Sequence, residues 1–231
     1  VDFKRRIEVA GSYVGTNFFE AENIGVIARG PSVSRLDLCC DKFSHCFLAG
    51  EFNNSFKDIG QYLEKKDIVS SGYFTRRYKT KPEYLKKYHI QNIQVKALPG
   101  SLIFRHCCIF YSNLKVVGYT RRHVEICERV TDGERKIYTT GVGSIINALY
   151  FQPKRIYIIG IDFYNEDEDV YYTGEAEDFR DEYHRRVSVR QGKWMLRNIY
   201  AMAESYPQIE FIMYTTFRGI SSQDNLKINY T

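Results

Sequence analysis

The segment Tyr138-Thr139-Thr140-Gly141-Val142-Gly143 sets two hydroxyls and two glycines at the start of the apolar helical run that ends at Tyr150. A helix N-terminus leaves backbone N–H groups unpaired and partly positive, so hydroxyls and glycines there suit a phosphate. The β-branched run Arg155 to Ile159 follows Pro153 and ends in Gly160-Ile161-Asp162-Phe163-Tyr164. The carboxyl ends of strands in an open α/β sheet are where ligands bind, so the two stretches together read as half of a nucleotide site. They also fit a plainer reading, with Thr139 or Thr140 as an N-cap and Gly141 allowing close packing.

A third segment belongs with these two. Ile24 to Ala28 is a short continuous apolar run, the form of a buried parallel strand, and it ends in Arg29-Gly30-Pro31-Ser32. Gly30 permits a tight turn, Pro31 fixes the next dihedral, and Ser32 offers a hydroxyl where a short helix begins. Neither G-x-G-x-x-G nor Gly-Lys-Ser/Thr is present, which disfavours a nicotinamide cofactor and a P-loop triphosphate reaction.

The elements that must position these residues alternate between strands and helices. His45 to Ala49 reads as a second buried strand, leading through Gly50 to Glu51, Asn53 and Asn54; Ser55 to Leu63 has helical spacing. Asp67 to Ser71 and Ile93 to Leu98 are further strand candidates, with a helix from Pro82 to Tyr88. The interleaved Tyr73 to Lys81 segment suits nucleic acid by charge and stacking, but no RNP, KH or helix-turn-helix pattern accompanies it, so no nucleic-acid partner is expected. Ser101 to Glu134 has no clean boundaries. Trp194, Met195, Ile199 and Met202 form a core stripe, and Ile209 to Met213 reads as the last strand.

The 231 residues, 44% of them hydrophobic, suffice for one large α/β domain, and 33 basic against 28 acidic residues give a net charge of +5. That excess suits a phosphate-bearing ligand or an anionic surface without requiring nucleic acid. The six cysteines, Cys39, Cys40, Cys46, Cys107, Cys108 and Cys127, lack zinc or disulfide-framework spacing and read as reduced core thiols. With no apolar run long enough to span a bilayer, a cytoplasmic protein is expected, at most at the inner face of the membrane. A chain opening on Val1 is expected to continue upstream. Residues 1–22 read as an N-terminal arm and 23–231 as one domain, with the aperiodic stretch at about 165–191 as a lid.

The three motifs resemble the bacterial sialyltransferases of glycosyltransferase family 42 and their relatives. The matching residues are Gly30-Pro31-Ser32, Thr139-Thr140-Gly141-Val142 and, most specifically, Gly160-Ile161-Asp162-Phe163-Tyr164. The resemblance implies a variant Rossmann-like (GT-A-like) single domain with a mainly parallel sheet and a flexible lid. It implies inverting transfer of a sialic-acid-type sugar from a CMP-sugar donor to a glycan acceptor, in building a surface glycan such as lipopolysaccharide or capsule. No metal or other cofactor is implied; peripheral membrane association and a homo-oligomer are compatible with it.

Carried over by motif, Gly30, Pro31, Ser32, Thr139, Thr140, Gly141, Gly160, Asp162 and Phe163 line the nucleotide. Tyr164 donates its phenol to the leaving phosphate, helped by Tyr171 or Tyr172, and His184 is the general base. Arg185, Arg186 and Arg190 are alternative phosphate or carboxylate clamps. His45 and His106 read as structural, whereas His89 and His123 have no evident partner.

Arg29 and Gly50 stand where the family has asparagine, and Ile137 where it has a basic residue, with Lys136 nearest. Arg29 can still pair with phosphate, and Glu51 or Asn53 with sugar hydroxyls. Three other readings compete: a metal-dependent nucleotide-diphosphate-sugar transferase using Asp167-Glu168-Asp169, a pterin pyrophosphokinase-like phosphotransfer enzyme, and a decayed nucleotide-binding domain.

Overall fold

β1 (Asn23–Ile27) lies at the centre of an eight-stranded sheet ordered β5-β4-β3-β2-β1-β6-β7-β8, in which every neighbouring pair is parallel. The computed structural model describes residues 22–49, 59–74, 82–95, 101–111, 114–131, 139–163 and 182–231. The remaining strands are β2 (His45–Ala49), β3 (Val69–Phe74), β4 (Ile90–Val95), β5 (Lys115–Gly118), β6 (Arg155–Ile159), β7 (Glu210–Thr215) and β8 (Leu226–Tyr230). The helices are α1 (Ile59–Lys65), α2 (Pro82–Lys87), α3 (Leu102–Phe110), α4 (Arg121–Val130), α5 (Thr140–Tyr150) and α6 (Glu182–Ser205), and a 3₁₀ segment covers Pro31–Leu38.

Continuous apolar strands follow from covering both faces of a parallel sheet. Side chains alternate across the sheet. Ile24, Val26, Phe47, Ile156 and Ile158 join one core with Val142, Ile145 and Leu149 of α5 and Met195 and Ile199 of α6. Ile27, Leu48 and Ile159 join a second core with Leu36 of the 3₁₀ segment, Leu63 of α1 and Phe104 of α3.

The chain moves outward from β1 to β5, then returns through α4 and α5 to place β6 on the other side of β1. That reversal opens a crevice at the carboxyl ends of β1 and β6, the switch point where open α/β sheets bind ligands.

The structure revises several boundaries. The sheet is parallel throughout, and β8, beyond β7, is its last strand. Ser101 to Glu134 contains α3, β5 and α4. The expected short helix at Ser32 is a 3₁₀ segment. The expected lid reached residue 191, but positions 182–191 are the first turns of α6. The helix is long, 24 residues or about 36 Å, against about 20 Å for a six-residue strand. The rest of the expected lid, the arm at 1–21 and the Tyr73–Lys81 segment beyond Phe74 lie outside the described residues.

Candidate active site at the β1–β6 switch point

The exits of β1 and β6 remain joined past the end of the ladder. Ala28 N donates to the Ile159 carbonyl at 2.8 Å and Gly30 N to the Gly160 carbonyl at 2.7 Å. Gly160 has φ +79°, and a Cβ there would strike the Ala28 carbonyl. A Cβ on Gly30 would stand 2.8 Å from the Gly160 carbonyl and press on the Asp162 carboxylate. Both positions therefore exclude a side chain for steric reasons.

Asp162, only 7% exposed, ties together three strand exits. Its Oδ2 accepts from Ser32 N at 3.0 Å and Ser32 Oγ at 2.9 Å. Its Oδ1 accepts from Thr215 Oγ1 and Thr216 N, each at 2.8 Å, and from Thr216 Oγ1 at 3.3 Å. Ser32 Oγ in turn accepts from Gly160 N at 2.8 Å. Charge-assisted bonds of this kind are stronger than neutral ones and satisfy the buried carboxylate.

The start of α5 faces this frame. Thr139 is the N-cap, its hydroxyl accepting from Val142 N at 3.3 Å. A cleft opens between the β1 exit (Ala28, Arg29, Gly30), the β6 exit (Gly160 to Phe163) and the α5 start (Thr139, Thr140, Gly141), with Ala49 of β2 and Met195 of α6 completing the lining. The half-buried Arg29 and the positive end of α5 both favour an anion there.

Phe163 holds φ +59°, an unusual conformation for a residue with a side chain, of the kind that clusters at functional sites. Its ring packs on Phe217 with centroids 5.0 Å apart. Gly192 of α6 sits against its carbonyl so closely that a Cβ would overlap it.

Arg29, Gly30, Thr139, Thr140, Gly141, Gly160, Asp162 and Phe163 thus border one cleft, whereas Pro31 and Ser32 do not line it. Pro31 starts the 3₁₀ segment, and the Ser32 hydroxyl is engaged by Asp162 and Gly160. Both Asp162 oxygens accept from protein donors, so this residue builds the frame as well as bordering the cleft. Thr215 and Thr216 escape the sequence reading, and Ala49 and Ile161, which it places in the second strand and in the Gly160–Tyr164 motif, are not among its site residues. Met195 belongs to the expected core stripe and lines the cleft as well.

His184 falls in the first turn of α6. The helix rises about 16 Å between this turn and Met195, which lines the cleft. Arg190 stacks over Trp194 at 4.5 Å. Tyr164, Tyr171, Tyr172, Glu51, Asn53, Lys136, Ile137 and the Asp167-Glu168-Asp169 run lie outside the described residues, as does Gly50.

The other histidines lie elsewhere. His45 Nδ1 pairs with Ser44 Oγ at 3.0 Å, whereas His106, expected to be structural, is exposed on α3. His89 Nε2 meets Gln91 Nε2 at 2.8 Å. His123 has partners after all: its Nδ1 accepts from Thr120 N at 3.1 Å, and its ring stacks between Tyr119 and Tyr150.

No protein-family profile matches this chain, and no curated protein sequence does either. Solved structures do match. The fold is shared with the sialyltransferase CstII. CstII from Campylobacter jejuni in complex with the substrate analogue CMP-3FNeuAc superposes with a TM-score of 0.53 at 16% identity, over 89% of this chain and 85% of that one. CstII with a trisaccharide acceptor and CMP gives 0.51 at 16% identity, over 83% and 80%. A CMP complex of a tyrosine-to-phenylalanine variant of CstII gives 0.52 at 14% identity, over 83% and 80%. The likeness spans most of the chain, consistent with the Rossmann-like fold that the resemblance implies.

Proposed function

We propose that this chain is an inverting glycosyltransferase that moves a sialic-acid-type sugar from a CMP-sugar donor to a glycan acceptor. The observation that carries the reading is the convergence of all three motif segments on one anion-favouring cleft at the switch point of the sheet. The shared fold with CMP-bound CstII supports the choice of nucleotide.

In this reading, the α5 N-terminus, the hydroxyls of Thr139 and Thr140, and Arg29 hold the donor phosphate. Gly30 and Gly160 let it approach the backbone, and Phe163 and Met195 supply an apolar wall for the nucleoside. Glu51 and Asn53 bind sugar hydroxyls. His184, as a neutral imidazole, takes the proton of the acceptor hydroxyl while that oxygen attacks the anomeric carbon. The bond from that carbon to the phosphate oxygen breaks on the opposite face, and CMP leaves with the electron pair. Tyr164, with Tyr171 or Tyr172, donates to the phosphate oxygen as its charge develops. The proposal includes no metal or other cofactor.

Calorimetric titration with CMP in EDTA, with UMP, GDP and ATP as controls, tests the donor class. Micromolar CMP-selective binding supports the reading; absence of CMP binding overturns it. A magnesium-dependent preference for ATP favours phosphotransfer instead. A metal-dependent preference for UMP or GDP favours a nucleotide-diphosphate-sugar donor. CMP binding without turnover of CMP-sialic acid or another CMP-sugar, on any acceptor offered, indicates a retained site without transfer.

A further inference from the structure

Helix α3 is apolar on two opposite faces, and the fold uses only one of them. Phe104, Cys107, Cys108 and Tyr111, the last just past the helix end, follow helical spacing into the second core. On the other side Leu102 is 84% exposed, Ile103 46%, Phe110 41% and Ile109 39%. Among the described residues, the only other exposed large hydrophobic is Tyr230 on β8, which lies beneath Arg218 at 4.4 Å.

The charge that α3 itself carries is of one sign. α3 has no acidic residue, and Arg105 shares its exposed surface. α2, which covers the neighbouring strands on the same side of the sheet, exposes Lys86 and Lys87 in its last turn, with Glu83 in its first. An apolar helical face that carries Arg105 and no acidic residue, on the side of the sheet where α2 exposes Lys86 and Lys87, matches the interface of an anionic bilayer, where side chains such as Leu and Phe sink below the headgroups and Lys and Arg meet lipid phosphate. The exposed apolar area is on the order of 400 Å², about half of what each partner in a standard protein interface buries, which weighs against a second copy as the main occupant.

We infer that the outer face of α3 is a docking surface for an anionic lipid bilayer. This inference is independent of the reaction proposed above. α3 follows β4, so its first turn, with Leu102 and Ile103, stands toward the carboxyl edge of the sheet.

Vesicle co-sedimentation of the full chain tests this, comparing phosphatidylcholine with phosphatidylcholine carrying about 30 mol% phosphatidylglycerol. Expected are at least about tenfold stronger binding to the anionic vesicles and its loss in about 0.5 M salt. The double substitution Leu102→Ser with Ile103→Ser should lower binding at least about fivefold, with cooperative melting retained because neither side chain belongs to the core. Arg105→Glu, which leaves the apolar residues in place, should weaken the anionic preference alone. Equal binding to both vesicle types, or full binding by the double variant, overturns the proposal. So does a dimer in sedimentation equilibrium that the double variant abolishes, since the face would then belong to a second copy.

Discussion

Ser32 and Asp162 are joined twice, with the backbone N–H and the hydroxyl of Ser32 both donating to Oδ2, at 3.0 and 2.9 Å. With Thr215 and Thr216 on Oδ1, one buried carboxylate sets the relative positions of the β1, β6 and β7 exits. Asp162→Ala would leave several donors facing an empty space. Loss of charge-assisted bonds together with unsatisfied buried donors should destabilise the fold by about 3 kcal/mol. Urea denaturation should show a lower midpoint, and CMP titration a loss of binding even where the variant is folded, because the Gly30 turn loses its anchor. A stable variant with full CMP affinity would show that the carboxylate frames nothing the ligand needs.

Gly160→Ala should act through the backbone alone. The residue has φ +79° and its added methyl would meet the Ala28 carbonyl, so the exits of β1 and β6 must separate. The expected cost is about 2 kcal/mol, combining positive-φ strain with the overlap. A thermal melt checks the stability loss. In the proposed reading, calorimetry on the same sample should show weaker CMP binding.

Much of this frame is legible in the sequence, for local reasons. β1, β2 and β6 are continuous apolar runs with glycine at or just beyond their ends, and the Thr139-Thr140-Gly141 start of α5 carries its own capping signal. The link from Asp162 to Thr215 spans 53 residues, and no local pattern announces it. β8 is hidden for a different reason. As an edge strand it leaves Lys227, Tyr230 and neighbouring positions exposed, so Leu226 to Tyr230 lacks the apolar run of a central strand. β5 has only four residues, too few to show a period between α3 and α4.

Arg29→Gln tests the electrostatic part of the nucleotide reading. The guanidinium borders the cleft beside the N-terminus of α5, and an interaction with a phosphate should contribute about 1.4 kcal/mol, or tenfold in affinity. CMP should bind about tenfold more weakly to the variant, with a shallower dependence on salt, while cytidine binding should be unaffected. An equal loss for cytidine and CMP would place Arg29 on the nucleoside instead.

His123 should make the protein sensitive to acid without touching the cleft. Burial, with the nearby Arg122 charge adding to it, pushes its pKa down to about 3. An unfolded histidine titrates near 6.5. Between these values the unfolded chain binds a proton that the folded chain refuses, so the stability is fully present above about pH 6.5 and is lost progressively toward pH 3. At pH 5 the loss from this one residue is about 2 kcal/mol relative to neutral pH. His123→Phe preserves a flat ring between Tyr119 and Tyr150 but removes the acceptor for Thr120 N, a loss of about 1 kcal/mol that does not vary with pH, and it removes the acid-dependent loss as well. Urea midpoints measured from pH 7 to pH 5 should therefore fall less steeply for the variant, and its stability should overtake that of the parent toward pH 5. Parallel curves for the two proteins would mean that the imidazole takes up its proton inside the folded chain.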